Sequence, residues 1–328
     1  MSPIARKVER EGTPNRRNVV LVFMESMSAN LMGTFGSDKK LTPYLDSLYQ
    51  QSLSFCHFYS SGIHTNHGIY STLYSFPAIM KRNAMKGSVI PVYSGLPTVL
   101  QENGYCNLFF MTHESQYDNM NAFLRTNGFD EIYAQENYPS EKVVNSFGVQ
   151  DDFMYQYALP ILNERAGTGN PFFSVLLSIS NHPPYVIPPY FHPHSDVLEE
   201  QIVEYADWSI RQFMQAAEKQ PWFDNTIFVF LGDHGKMVGT PECEMPQSYN
   251  HIPLMIYGKD IKPGVYDGFG GQVDVSPTLL GLLNISYLQN NFGVNLLEEE
   301  RPCMFFTADN LIGARDSVNM FILSLIHI

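Results

Sequence analysis

Short apolar runs separated by turn residues set the pattern of this chain. They occupy residues 19–24 (VVLVFM), 106–111 (CNLFFM), 172–179 (FFSVLLSI), 226–231 (TIFVFL) and 254–257 (LMIY). Runs this short, without polar alternation, fit strands buried on both faces of a parallel sheet. Between them the spacing of apolar residues turns helical. Leu41, Leu45 and Leu48 share one helical face behind Thr42 and Pro43, which read as an N-cap and a first-turn proline. Ile202, Tyr205, Ala206, Ile210, Phe213 and Met214 recur at three- and four-residue steps and predict a helix over 200–217. Pro277 opens a shorter one over 276–283. Strands alternating with helices imply an α/β fold, a mostly parallel central sheet flanked by helices. Pro183, Pro184, Pro188, Pro189 and Pro193 exclude regular structure over 183–194 and predict an extended surface loop.

The polar residues behind these runs carry the chemical signal. Glu25 follows the first run, His113 the second, Asn181 and His182 the third, and Asp233 and His234 the fourth. In open α/β sheets ligands bind outside the carboxyl ends of the strands, so residues more than two hundred positions apart converge there. A single polar residue after a strand is commonly a loop residue or a helix cap; four such strand ends suggest a site. Gly232-Asp233-His234-Gly235 offers a hard oxygen beside an imidazole nitrogen, a pairing suited to a divalent cation, with glycines that allow a tight turn. Glu25 ends an uncharged apolar run, where an unpaired carboxylate is costly and a cationic partner is expected. In Ser61-Gly62-Ile63-His64-Thr65-Asn66-His67-Gly68, small residues precede a helix predicted through residues 69–73. Thr65 there is either a helix cap or a hydroxyl held in a positive field, where cation binding turns it into a nucleophile.

Composition narrows the classes. The 328 residues are 44% hydrophobic and 16% charged, which excludes a disordered or coiled-coil chain. A net charge of 20 − 33 = −13 opposes nucleic acid and anionic membrane surfaces, so any phosphate must meet local positive charge. Cys56, Cys106, Cys243 and Cys303 form no C-x-x-C pair and indicate neither a disulfide framework nor a cysteine metal site. No stretch reaches the roughly 20 apolar residues of a membrane span. The aromatics at Phe109, Phe110, Phe172, Phe173, Phe228 and Phe230 read as sheet core. We expect one catalytic domain over 18–322, with residues 1–17 as a lead-in or linker. The terminal LSLIHI (323–328) has the look of a translated sequencing adapter, so a C-terminal truncation is expected and no strand is assigned to that tail.

These residues together resemble the alkaline-phosphatase and sulfatase superfamily, in its lipoteichoic acid synthase and phosphoglycerol transferase branch. The segments that carry the resemblance run in order: NVVLVFMES (18–26), LTPYLDSL (41–48), SGIHTNHGIYSTLYSFP (61–77), NGFDEIY (127–133), FGVQDDF (147–153), SISNHPPY (178–185), FVFLGDHG (228–235) and QVDVSPTLLGLLNI (272–285). The resemblance implies a metal-dependent transferase with Thr65 as catalytic nucleophile. It implies one divalent cation on Glu25, Thr65, Asp233 and His234, manganese first, with magnesium or zinc as alternatives. It also implies substrate contacts from His182, His113, Tyr117, Asp118 and Asn119; the branch's tryptophan and arginine in that region have no counterpart here. His251, in Asn250-His251-Ile252-Pro253, is a further candidate from its place before a strand.

The implied reaction moves glycerophosphate from phosphatidylglycerol, through a phospho-threonine, to a hydroxyl acceptor on a glycolipid, polymer or glucan. The implied location is the extracytoplasmic face of a bacterial membrane, reached through a missing transmembrane region. A phosphoethanolamine transferase or a hydrolase on the same fold is the alternative, and a non-catalytic polyol-phosphate-binding domain a second. A sulfatase of the C/S-x-P-x-R type is disfavoured, because 64–68 carries no Cys, Pro or Arg.

Overall fold

The computed structural model describes residues 3–325. Its centre is an eight-stranded sheet built from β1 (Asn18–Met24), β2 (Leu53–Tyr59), β3 (Cys106–Met111), β4 (Glu131–Tyr133), β5 (Phe172–Leu177), β6 (Thr226–Gly232), β7 (Leu254–Tyr257) and β8 (Gly264–Gly271). The order across the sheet is β8-β2-β7-β6-β1-β5-β3-β4. All five expected runs are strands. The sheet is mixed: β7 lies antiparallel to both β2 and β6, whereas the other pairings are parallel. Because only β7 is reversed, the carboxyl ends of β1, β2, β3, β5 and β6 lie along one edge of the sheet.

Helices cover both faces. β1 shows why its apolar run is unbroken: Val19, Leu21 and Phe23 pack with α2 (Thr65–Tyr74), α3 (Leu96–Glu102), α4 (Met120–Thr126) and α7 (Val275–Leu282). Val20, Val22 and Met24 pack on the other side with α1 (Pro43–Gln50), α5 (Asp151–Ala166) and α6 (Leu198–Ala217). These six apolar β1 side chains are at most 1% exposed. At about 1.5–3 kcal/mol for each fully buried large apolar side chain, these two layers supply the main driving force for folding. Thr42 precedes α1 as expected but makes no side-chain cap. The cap comes from α6, where the Asp207 carboxylate accepts the Tyr44 and Leu45 amides at 3.1 and 2.8 Å.

Three further strands, β9 (Met304–Ala308), β10 (Leu311–Arg315) and β11 (Met320–Ser324), form an antiparallel sheet. Its Met304, Phe306 and Ala308 pack on Tyr59 and Met245. Leu323 and Ser324 close β11, so the first part of the terminal tail is a strand where none was expected; residues 326–328 lie outside the described residues. Within the segment expected as a lead-in, Arg6–Val8 pairs antiparallel with Tyr287–Gln289. No helix among the described residues is long and apolar enough to cross a membrane.

Candidate metal and nucleophile site

Glu25 emerges directly from β1 and Asp233 directly from β6, and these strands are parallel neighbours. Both carboxylates are therefore delivered to the same sheet edge, Glu25 at 1% exposure and Asp233 at 0%. One ligand atom each from Glu25, Asp233 and His234 lies within 4.8 Å of the others. Asp233 Oδ1 accepts the amides of Ser26 (2.8 Å) and His234 (2.7 Å), which fixes the carboxylate. Its Oδ2 is buried and has no hydrogen-bond partner. The Ser26 hydroxyl donates to Glu25 Oε1 at 2.7 Å. Burial first, and the Asp233 charge second, push the Glu25 carboxyl well above its usual range.

The imidazole orientation is informative. His234 Nδ1 lies 2.8 Å from the Gly235 carbonyl, an acceptor only, so Nδ1 carries the proton. Nε2 then turns its lone pair toward Asp233 Oδ2 at 3.5 Å and Glu25 Oε1 at 3.8 Å. Three electron-rich atoms facing one another, one of them an orphaned buried oxygen, are mutually repulsive until a cation sits among them. The donor set fits a divalent ion of the manganese, magnesium or zinc kind.

Thr65 is the first residue of α2, and His64, not Thr65, occupies the cap position. Its hydroxyl makes no cap and lies 3.5 Å from Glu25 Oε2, beside the cation cluster and in the field of the helix N-terminus. Of the two readings of Thr65, the capping one is therefore not the geometry seen. α2 comes this close because Gly68 has no side chain: a Cβ there would stand 2.2 Å from the Asp233 carbonyl oxygen. Gln272 ties the other side together, donating to the Gly232 and Asp233 carbonyls while its Oε1 accepts the Ser61 amide.

A cavity of 320 Å³ opens beside this cluster, lined among others by Thr65, His113, Tyr117, Asp118, His182, His234 and Lys236. His182 turns Nδ1 to the Pro183 carbonyl at 2.6 Å, and His113, buried, turns Nδ1 to the Glu114 carbonyl at 3.0 Å. Burial lowers the His113 pKa. The Asp118 carboxylate is held by Lys86 (2.7 Å) and Asn66 (3.2 Å) on a left-handed backbone, φ 53°. Two candidates stand apart. The Asn119 amide donates to the Met85 carbonyl at 2.8 Å, and Asn119 does not line the cavity. His251 pairs Nε2 with the Cys56 carbonyl at 2.8 Å and stacks on Tyr59, outside the cavity. Its position before an antiparallel strand brings it to the sheet edge, but the aromatic packing turns its ring away.

Two contributors, Lys236 and Asp309, escaped the sequence reading, and a third, Asn181, was signalled only by its place. Lys236 donates to Asn181 Oδ1 at 2.6 Å and sits over the Tyr185 ring, and burial lowers its pKa to about 8. Asn181 in turn donates to the Glu25 and Ser26 carbonyls at 3.1 and 3.3 Å; its place after β5 signalled it, but not this bracing role. Asp309, in the β9–β10 turn, holds the His64 imidazole at 2.7 Å. No local pattern in the sequence connects residue 309 with residue 64.

Comparison with known proteins bears on the fold and the family. The Sulfatase family profile matches residues 17–285. Among curated relatives, the lipoteichoic acid synthase-like YvgJ of Bacillus subtilis is 25% identical over 88% of this chain and 51% of its own length. The lipoteichoic acid synthase of Staphylococcus aureus strain NCTC 8325 is 23% identical over 89% of this chain and 49% of its own length. The chain thus spans about half the length of the curated relatives it matches. Among solved structures, an alkaline phosphatase superfamily protein from Vibrio parahaemolyticus superposes with TM-score 0.90 at 29% identity, over 98% of this chain and 80% of that one. The lipoteichoic acid synthase LtaP from Listeria monocytogenes superposes with TM-score 0.81 at 22% identity, over 94% and 85%. A matched profile over most of the chain, with the α/β sheet and the acidic–imidazole cluster at its carboxyl edge, shows that the chain belongs to the sulfatase family within the alkaline phosphatase superfamily.

Proposed function

We propose that this chain is the catalytic unit, over residues 18–322, of a metal-dependent phosphoglycerol transferase that uses Thr65 as nucleophile. The observation that carries the reading is the Thr65 hydroxyl beside the buried Glu25–Asp233–His234 cluster, at the mouth of a cavity lined by His113, His182 and Lys236. Glu25, Asp233, His234 and Thr65 would hold a divalent cation, manganese first, which would supply charge neutralisation and lower the pKa of the Thr65 hydroxyl. Thr65 Oγ1 attacks the phosphorus of a phosphatidylglycerol head group, the bond from phosphorus to the diacylglycerol oxygen breaks, and glycerophosphate remains on Thr65. An acceptor hydroxyl on a glycolipid or a growing polymer then displaces Thr65. The Lys236 ammonium faces the phosphoryl oxygens, with His182 and His113 beside them on the cavity wall. Lys236 supplies local positive charge that a chain of net charge −13 needs. Similarity to lipoteichoic acid synthases supports the choice of head group and, with it, a reaction at the extracytoplasmic face of a bacterial membrane.

Incubation with phosphatidylglycerol and manganese should add one glycerophosphate to Thr65, read by mass spectrometry, and release diacylglycerol. Thr65→Ala should lose both. Undiminished release by Thr65→Ala sinks the mechanism, and preferential turnover of phosphatidylethanolamine or an aryl sulfate reassigns the head group.

A further inference from the structure

On the far edge of the sheet, away from the cavity, β8 pairs parallel with β2 in a register that breaks between Tyr266 and Phe269. Tyr266 faces Phe55 and Phe269 faces His57, so Asp267 and Gly268 together oppose the single residue Cys56. This is a bulge, a device that re-aims a side chain. Here it brings a carboxylate onto a thiol and an imidazole. Asp267 Oδ1 lies 3.1 Å from Cys56 Sγ and 3.6 Å from His57 Nε2, and the three donor atoms all lie within 4.8 Å of one another.

We propose that Cys56, His57 and Asp267 form a second metal site, for a zinc-class cation, that pins the edge strand β8 to β2. The donor spacing carries the assignment. Zinc binds thiolate at about 2.3 Å, imidazole at about 2.0–2.1 Å and carboxylate at about 2.0–2.2 Å. A tetrahedral ion at those lengths separates oxygen from sulfur by about 3.5 Å and oxygen from nitrogen by about 3.3 Å, against 3.1 and 3.6 Å here, differences of a few tenths of an ångström that the exposed Asp267 side chain can absorb. Thiolate with imidazole selects zinc over the harder ions that suit the oxygen-rich catalytic cluster. Asp267 and His57 are exposed at the side chain, 91% and 40%, which gives the ion an entry path. The site also gives the bulge a purpose: β8 is an edge strand rich in glycine, and a three-point clip ties its irregular centre to the neighbouring strand.

The test uses cobalt(II) as an optical stand-in for zinc, added to the whole chain after chelation. A thiolate-to-cobalt charge-transfer band is expected, since the Glu25–Thr65–Asp233–His234 set contains no sulfur and contributes none. Cys56→Ser should abolish the band and Asp267→Ala, a change at an exposed position, should weaken cobalt affinity at least about tenfold. Zinc should slow amide exchange over 264–271 in the unaltered chain and leave it unchanged in Cys56→Ser. No band with the folded chain, or a band that persists in Cys56→Ser, overturns the proposal.

Discussion

A methyl group at position 68 would meet the Asp233 carbonyl oxygen at 2.2 Å, and backbone rather than a flexible side chain would have to yield. Thr65 stands three residues earlier on the same helix, so the shift passes straight to the hydroxyl. Gly68→Ala is therefore expected to lower kcat about 100-fold, the scale of a 1 Å misplacement of a reacting group. Steady-state kinetics on a variant of native circular dichroism check this; turnover matching the unaltered chain contradicts it. Asp233 makes the same point from the ligand side. Its Oδ1 is occupied by two backbone amides and only Oδ2 is left for an ion. Asp233→Asn should accordingly retain the backbone bonds yet lose bound metal, and elemental analysis showing full occupancy speaks against the assignment.

At the scale of the element, α1 depends on a residue 162 and 163 positions further along the chain from the two amides it caps. Asp207 accepts both Tyr44 and Leu45 amides, and Thr42, the residue that the local pattern nominates, hydrogen-bonds to Asp46 instead. Asp207→Ala should cost about 1 kcal/mol, the usual worth of a helix cap. Burial outweighs the two amide donors and raises the Asp207 carboxyl to about 7, above its usual value near 4. A folded-state pKa raised above the unfolded one contributes stability that is complete below the unfolded value and is lost as pH rises through the folded value. The penalty of Asp207→Ala is thus expected to be larger at about pH 4 than at about pH 8, measured by chemical denaturation at both. A penalty that grows with pH contradicts this sign. Elements that escaped sequence reading share a physical cause. β8 carries Gly264, Gly268, Gly270 and Gly271 and reads as turns, while α5 is interrupted by Pro160 and lacks a clean apolar stripe. Each is held by tertiary packing rather than by its own pattern.

For the molecule as a whole, the buried Glu25 and Asp233 carboxylates concentrate negative charge at the sheet edge of a chain that already carries −13. A cation bound there in the folded state alone stabilises by mass action, about 2.7 kcal/mol at a hundred times its Kd. Chelation should lower the thermal midpoint and manganese restore it; a midpoint indifferent to both removes the case for a resident ion. The sequence by itself determined the α/β class and the five principal strands, and it singled out Glu25, Thr65, Asp233 and His234 as candidates. Buried apolar runs and polar residues at their ends are local signals, and parallel strands deliver those ends to one edge. Tertiary structure alone decided the reversal of β7, the rotation of His251 into an aromatic stack, the diversion of Asn119 to Met85, and the support of the site by Asn181, Lys236, Gln272 and Asp309. The reason is geometric: a side chain's direction depends on strand polarity and on neighbours distant in the chain, and neither is written in its local spacing.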